Sequence, residues 1–265
     1  LMNGNSEYYA IVTGASQGLG RALATELAAR GHNLLLAALP ETGLPELSNS
    51  LETIYGVSVR IFETDLMCLE APAKLLDFIK DNKIEIDILV NNVGIGHGGA
   101  IGEYSEAAIE ESVFLNIRCT TLMTNAFKST LSERKNAYIL NIGSFGGFMP
   151  LPYKSIYSAT KSYIYHFTLA VREELRGNGV RVSVAMPGGI VTNHKVRERL
   201  ANLGVMAKMN AIEPDRAAQY IIERMYRGRS VIVTGRSMRI AYYIGSLLPY
   251  RLLMVVSGKI FRGVN

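Results

Sequence analysis

Short apolar runs alternate with amphipathic stretches along almost the whole chain. Residues 8–14 read YYAIVTG with no polar alternation, and RALATELAARG at 21–31 then repeats apolar positions at three- and four-residue spacing. The order continues with NLLLAAL, a helical stretch to Tyr55, VSVRIFETD, APAKLLDFIKDN, IDILVNN and a long helical region near 106–131. AYILNIGS, a helix from about 155 to 176 and VRVSVAMPGG follow. Apolar runs of this kind are strands buried on both faces, and the helices between them form right-handed crossovers. The pattern predicts an α/β fold: a three-layer, doubly wound parallel sheet. Ligands of such sheets bind beyond the carboxyl ends of the strands.

The turn after the first strand, TGASQGLG at 13–20, carries glycines where that geometry needs them. Gly14 permits a tight turn, Gly18 lets a ligand approach the backbone, and Gly20 lets helix and strand pack closely. Free N–H groups at the helix start favour an anion, and a pyrophosphate is the natural guest. The second strand ends at Ala38, where an acid would bind a ribose 2′-hydroxyl and a base a 2′-phosphate. With no acid there the main feature that would repel the 2′-phosphate is missing, and with no arginine so is the main feature that would attract it; the reading leans to NADP(H), with NAD(H) as the alternative. Asp65, just after the third strand, is placed to accept from an adenine amino group, or to be a helix N-cap or loop aspartate.

In YSATK, residues 157–161, Tyr157 and Lys161 stand at i and i+4, on one face of a helix. A tyrosine hydroxyl titrates at about 10, and a nearby ammonium stabilises its phenolate. The pair therefore reads as an acid with its tuner, and each residue alone also fits an ordinary structural or surface role.

The 265 residues, 48% apolar and 19% charged, suffice for a globular α/β domain with a full core. Cys68 and Cys119 belong to no C-x-x-C or zinc-like spacing, so neither a disulfide framework nor a structural metal is expected, and a reducing compartment fits. No basic, apolar leader is visible at the start, so no signal peptide and a cytoplasmic location are expected. His32, His97, His166 and His194 show no paired metal-ligand spacing. His97 and His194 each follow a cofactor motif and are expected near the pocket mouth. A serine hydrolase is excluded because Ile142 stands two residues before Ser144, where the nucleophile elbow needs glycine. No nucleic-acid motif is present.

Taken in order, TGASQGLG, NNVG at 91–94, Asn116, Ser144 in NIGS, YSATK and PGGIVT at 187–192 resemble the short-chain dehydrogenase/reductase family, over residues 8 to about 235. The resemblance implies one Rossmann-type domain with a seven-stranded sheet over 1–235, and leaves 236–265 as an apolar and basic extension of it. It implies hydride transfer between a nicotinamide cofactor and a carbonyl or alcohol, with Tyr157 as acid or base. Lys161 would tune Tyr157 and hold the nicotinamide ribose, Ser144 would hydrogen-bond the substrate oxygen, and Asn116 would position a water in a proton relay. Cofactor contacts are implied for Gly14, Ser16, Gln17, Gly18, Leu19, Gly20, Ala38, Asp65, Leu66, Asn92, Val93, Gly94, Tyr157, Lys161, Pro187, Gly188, Ile190 and Thr192. Departures are Val93 for a common alanine, Gly143 for a small polar residue, and Gly189 after the Pro-Gly pair; none removes a functional group. The branch resembled includes hydroxysteroid dehydrogenases and long-chain ketoacyl reductases, implying a lipophilic substrate. The other readings are an NAD-linked dehydrogenase of a small polyol or sugar, and a cofactor-sensing scaffold without turnover.

Substrate choice is expected to lie in the loops after the fourth and fifth strands, in residues 191–211 and in the C-terminus. The MPLPY stretch with Met206 and Met209 points to an adaptable apolar cavity. The helix carrying Tyr157 and Lys161 has a second apolar stripe, Ile156, Tyr163, Phe167 and Ala170, expected to be core or, by resemblance, next to a homodimer or homotetramer interface. From Tyr226 to Asn265 there are seven basic residues and no acid. Pro249 and Arg251 interrupt this tail, so a membrane-spanning helix is not expected. An element covering the pocket or a subunit interface fits it first, and an amphipathic segment on an anionic membrane surface is the alternative.

Overall fold

The unbroken apolar runs become strands covered on both sides. The computed structural model describes residues 7–190 and 212–261. In it β1 (Tyr9–Thr13), β2 (Asn33–Ala38), β3 (Val59–Glu63), β4 (Ile86–Asn91), β5 (Ala137–Ile142), β6 (Val180–Met186) and β7 (Val231–Val233) form one sheet in the order β3-β2-β1-β4-β5-β6-β7. Every pairing is parallel. Successive side chains of β1 enter opposite cores, Ala10 and Val12 one and Ile11 the other, as the two-residue strand period requires.

The helices are α1 (Gly18–Ala29), α2 (Leu44–Tyr55), α3 (Ala71–Asp81), α4 (Glu106–Val113), α5 (Thr120–Ser132), α6 (Ser155–Glu174), α7 (Pro214–Tyr226), α8 (Arg236–Ser246) and α9 (Tyr250–Phe261). One face of the sheet is covered by α1, α2 and α7 through Leu23, Leu47 and Ile221. The other is covered by α3, α5 and α6 through Leu75, Phe127 and Val171. Each such fully buried side chain contributes ~1.5–3 kcal/mol.

The chain winds outward from β1 to β3 and then crosses back to place β4 on the other side of β1. That reversal opens a crevice between β1 and β4 at the carboxyl ends of the strands. Thr13 and Asn92 knit the crevice floor: Asn92 N and Val93 N donate to Thr13 Oγ1 at 2.9 and 3.1 Å, and Asn92 Nδ2 donates to the Thr13 and Gly14 carbonyls at 2.9 and 3.2 Å.

The long helix read near 106–131 is not uniform. A π segment, Phe114–Cys119, joins α4 to α5. A π turn holds one residue more than an α turn and shifts the face presented by the residues within it, a device frequent at functional sites. The α6 stripe read as core or interface is partly at the surface: Tyr163 and Ala170 are exposed, Ile156 and Phe167 half-buried. Tyr163 stacks on Phe167, and its hydroxyl meets Thr121 Oγ1 at 2.9 Å.

Candidate active site

Two glycine positions show why the β1–α1 turn takes no larger residue. Gly14 and Gly18 have φ of 64° and 56°, the left-handed region. A Cβ on Gly20 would lie 2.0 Å from the Gly14 carbonyl oxygen, so helix and turn close only over glycine. Gln17 makes no side-chain cap at the α1 start, which leaves the first-turn N–H groups pointing toward the crevice. Ser16 is half-buried and Gln17 exposed beside them, and Leu19 is buried.

The same closeness continues across the crevice. A Cβ on Gly94 would stand 2.6 Å from Asn116 Oδ1 and 3.2 Å from Lys161 Nζ, and one on Gly96 would lie 3.1 Å from the Tyr157 ring. The exposed glycines 94 and 96 thus let the main chain lie close against Asn116, Lys161 and Tyr157, as a lane bordered by backbone. A nicotinamide dinucleotide fits this cradle: a narrow backbone-lined turn for its phosphates runs into a lane ending at Tyr157 and Lys161.

The residues around the lane form a connected network. Asn116, 1% exposed in the π segment, accepts from Ile95 N at 2.9 Å and donates to the Ile95 carbonyl and to Thr160 Oγ1, both at 2.9 Å. Thr160 Oγ1 in turn donates to the Tyr157 carbonyl at 2.9 Å. Lys161 is buried and donates from Nζ to the Ile142 carbonyl at 3.0 Å. Burial pushes its pKa down to about 8.

Burial also raises the Tyr157 phenol, and its hydrogen bond with the Ser144 side chain pulls the other way. The direction is opposite to the lowering expected from Lys161. Desolvation of the phenol leads, and the ammonium is held at the Ile142 carbonyl. Ser144 Oγ also accepts from Gly146 N at 3.1 Å, which opens a 3₁₀ turn over Phe145–Gly147. A Cβ on Gly147 would strike the Lys161 backbone at 2.5 Å, so this turn rests directly on α6. Gly143 has its own reason: a Cβ there would press on Val184 at 3.1 Å and on the Ala185 carbonyl at 3.2 Å.

The other predicted contacts are distributed along the same edge. Ala38 is buried at the end of β2, and its carbonyl accepts from Thr64 N at 2.8 Å. Asp65 is exposed and its Oδ1 accepts from Met67 N at 2.9 Å, a local turn of the kind the alternative reading foresaw, while Leu66 is buried. Val93 packs against the core formed with α3 and α5. The Pro187 carbonyl accepts from Phe145 N at 2.9 Å, Gly188 N donates to Thr234 Oγ1 at 3.4 Å, and Ile190 bridges to Ile212. Thr192, His194, Met206 and Met209 lie outside the described residues. His97 pairs with Glu111 at 3.0 Å. Thr13, Ile95, Thr160 and Ile142 were not read from the sequence as site residues. Three of them act through backbone groups or a hydroxyl whose partner is remote in sequence, and only Thr13, inside the TG of the turn, carried a local signal. Among the described residues no cluster of His, Cys, Asp and Glu fit to hold a metal is present.

The family model described as short chain dehydrogenase matches residues 8–202. A very-long-chain 3-oxoacyl-CoA reductase of Pyricularia oryzae is 32% identical over 203 residues, 71% of this chain and 58% of that protein. An enzyme of the same name from Mus musculus is 31% identical over 193 residues, 69% of this chain and 60% of that protein. The chain therefore covers less than two thirds of the length of these curated relatives. A short-chain dehydrogenase from Sphingobium yanoikuyae in complex with NADPH superposes with a TM-score of 0.78 at 26% identity, over 90% of this chain and 93% of that one.

Proposed function

The chain belongs to the short-chain dehydrogenase family, an oxidoreductase of carbonyl and alcohol groups that uses a nicotinamide cofactor, and from that premise we propose that it is an NADP(H)-linked reductase of a lipophilic ketone, a 3-oxoacyl thioester being the first candidate. The observation that carries the reading is the convergence of Tyr157, Ser144, Lys161 and Asn116 on the lane that Gly94 and Gly96 border. The turn at 13–20 holds the pyrophosphate, and Asn92 to Gly94 line the path to Lys161. When bound, the nicotinamide exchanges a hydride with the substrate carbon.

The chain's own residues handle the proton. Ser144 Oγ and the Tyr157 hydroxyl hold the substrate oxygen, and the raised phenol keeps its proton at neutral pH for delivery to that oxygen. Lys161, still cationic below about pH 8, stands one helical turn from Tyr157 and would favour the phenolate left behind once its ammonium turns from the Ile142 carbonyl. Asn116, fixed by Ile95 and Thr160, orders the route by which the proton is replaced. NADP(H) is favoured by the absence of an acid at Ala38 and by the NADPH complex of the Sphingobium relative. The lipophilic class is favoured by the names of the curated relatives and by the apolar loop Phe148–Pro152 that follows Ser144. The surface stripe with Tyr163 and Phe167 on α6, beside exposed Ile109, Val113 and Phe114, is the face through which a homo-oligomer forms.

Fluorescence titration with NADPH and NADH, followed by turnover on 3-oxoacyl thioesters, bulky ketones and small sugars, tests this. Tighter NADPH binding, by at least about tenfold, with turnover on the long-chain ketones is expected. NADH preference with turnover confined to small polyols would overturn the reading, and so would cofactor binding with no turnover on any carbonyl.

A further inference from the structure

Helix α8 carries apolar side chains on the side turned away from the protein. Its inner residues, Met238, Tyr242 and Gly245, pack toward the body: Met238 and Tyr242 join the core around Ile164 and Val184, and a Cβ on Gly245 would meet Phe148 at 2.6 Å. The opposite face presents Ile240, Tyr243, Ile244 and Leu247 at i, i+3, i+4 and i+7, and these are 60%, 66%, 56% and 85% exposed. Helix α9 repeats the arrangement, with Leu253 and Ser257 buried and Leu252, Met254 and Val255 exposed. Single exposed apolar side chains are ordinary, but a continuous stripe on one helix extended by the next marks an interaction surface.

The charge of this region selects the partner. Arg236 and Arg251 are exposed on α8 and α9, and the stretch from Tyr226 to the end has seven basic residues and no acid. A two-fold contact between copies would set this patch against itself and bring like-charged arginines such as Arg236 and Arg251 together. An anionic bilayer meets both requirements, because its headgroups attract the arginines and its acyl boundary takes the apolar stripe. Neither helix, over its described residues, is long and apolar enough to cross a membrane.

We propose that the α8–α9 pair docks the protein on an anionic membrane surface, with Ile240, Tyr243, Ile244 and Leu247 entering the headgroup region. A groove of about 890 Å³ lies against this pair, walled by Phe148, Met149 and Leu151 of the loop after Ser144 and by Leu248, Leu253 and Met254. Its α6 wall, Ser155, Ala159, Ser162 and His166, is the side of that helix opposite Tyr157 and Lys161, so the groove is distinct from the cofactor lane. Met254 belongs both to the exposed face and to the groove wall, so a docked bilayer reaches the groove's rim. The proposal concerns the surface alone and does not depend on the identity of the substrate.

Sedimentation of the full chain with vesicles tests it, using phosphatidylcholine alone and phosphatidylcholine with phosphatidylserine, at low and high salt. Pelleting with the anionic vesicles at low salt is expected, with release at high salt and at least about a tenfold loss in Ile244→Glu/Leu247→Glu. Circular dichroism and thermal unfolding of that variant, whose changed side chains are outside the packed face, verify that it folds. The proposal is overturned if the wild type stays in the supernatant with anionic vesicles, or if the folded double variant pellets as well as the wild type. A wild-type oligomer that the double variant dissociates, with no vesicle binding by either, would assign the face to a second copy instead.

Discussion

The two ends of the sheet hold equally unusual buried polar groups, and of the two we assign the carboxyl end as the ligand site. At the carboxyl end, Lys161 and Asn116 are buried and each finds partners: Lys161 the Ile142 carbonyl, Asn116 the Ile95 backbone and Thr160. At the amino end, Tyr226 closes on His32 Nε2 at 2.6 Å near Asp87, while His32 Nδ1 and Asp87 Oδ1 are buried without a hydrogen-bond partner among the described residues. Burial drives the pKa changes at both ends. It lowers Lys161 to about 8 and His32 with it, and raises Asp87 to about 7 and the Tyr226 phenol as well. An arginine-lined hollow of about 300 Å³ also lies at the amino end, although Arg172 spends its guanidinium on the Val182 and Gly228 carbonyls. Perturbed titration and a cavity therefore do not distinguish the ends. Glycines that let the main chain lie close against Asn116, Lys161 and Tyr157 do, at the point where the strand order reverses.

The sharpest way to break this comparison is a pair of tyrosine substitutions. Tyr157→Phe is expected to lower turnover by ~10²–10⁴-fold with little change in unfolding temperature. Tyr226→Phe is expected to leave turnover within about twofold and to cost ~1–3 kcal/mol of stability, because it strips His32 of its remaining side-chain partner. Steady-state kinetics and thermal unfolding of both variants check the pair, and an exchange of the two phenotypes would reverse the assignment of the ends.

A smaller effect sharpens it through pH. The fold raises the Asp87 pKa, so it favours the protonated carboxyl. The stability from this group is fully present below about pH 4 and is lost as pH rises through about 7. Relative to Asp87→Asn, the wild type should thus lose ground from about pH 5 to pH 8, by on the order of 1–2 kcal/mol after allowance for its partial exposure. Thermal unfolding of the two proteins across that range would show it, and a gap that does not change with pH would mean that Asp87 is ionised throughout.

The order of strands and helices was legible because doubly covered strands have no polar alternation, and the glycine turn and YSATK were legible because their spacing is itself the chemistry. What lay beyond reading was set by distant parts of the chain. The π segment changes the face presented by Asn116 without altering the apolar rhythm on either side, and Ile95 contributes through its backbone, which no residue type announces. The upward shift of Tyr157 depends on how deeply the phenol is enclosed, a property of packing that the i, i+4 pair with Lys161 does not contain. The tail showed its charge and apolar blocks in sequence, but the stripe on α8 emerged only when Met238, Tyr242 and Gly245 took the inner face.

Hydrogen exchange of the full chain with and without NADPH tests the central claim most directly, since it surveys both ends of the sheet at once. Protection is expected in the peptides spanning 13–20, 91–96 and 157–161, with no change around His32, Asp87 and Tyr226. Protection confined to the amino end, or none at any position under saturating cofactor, would contradict the account.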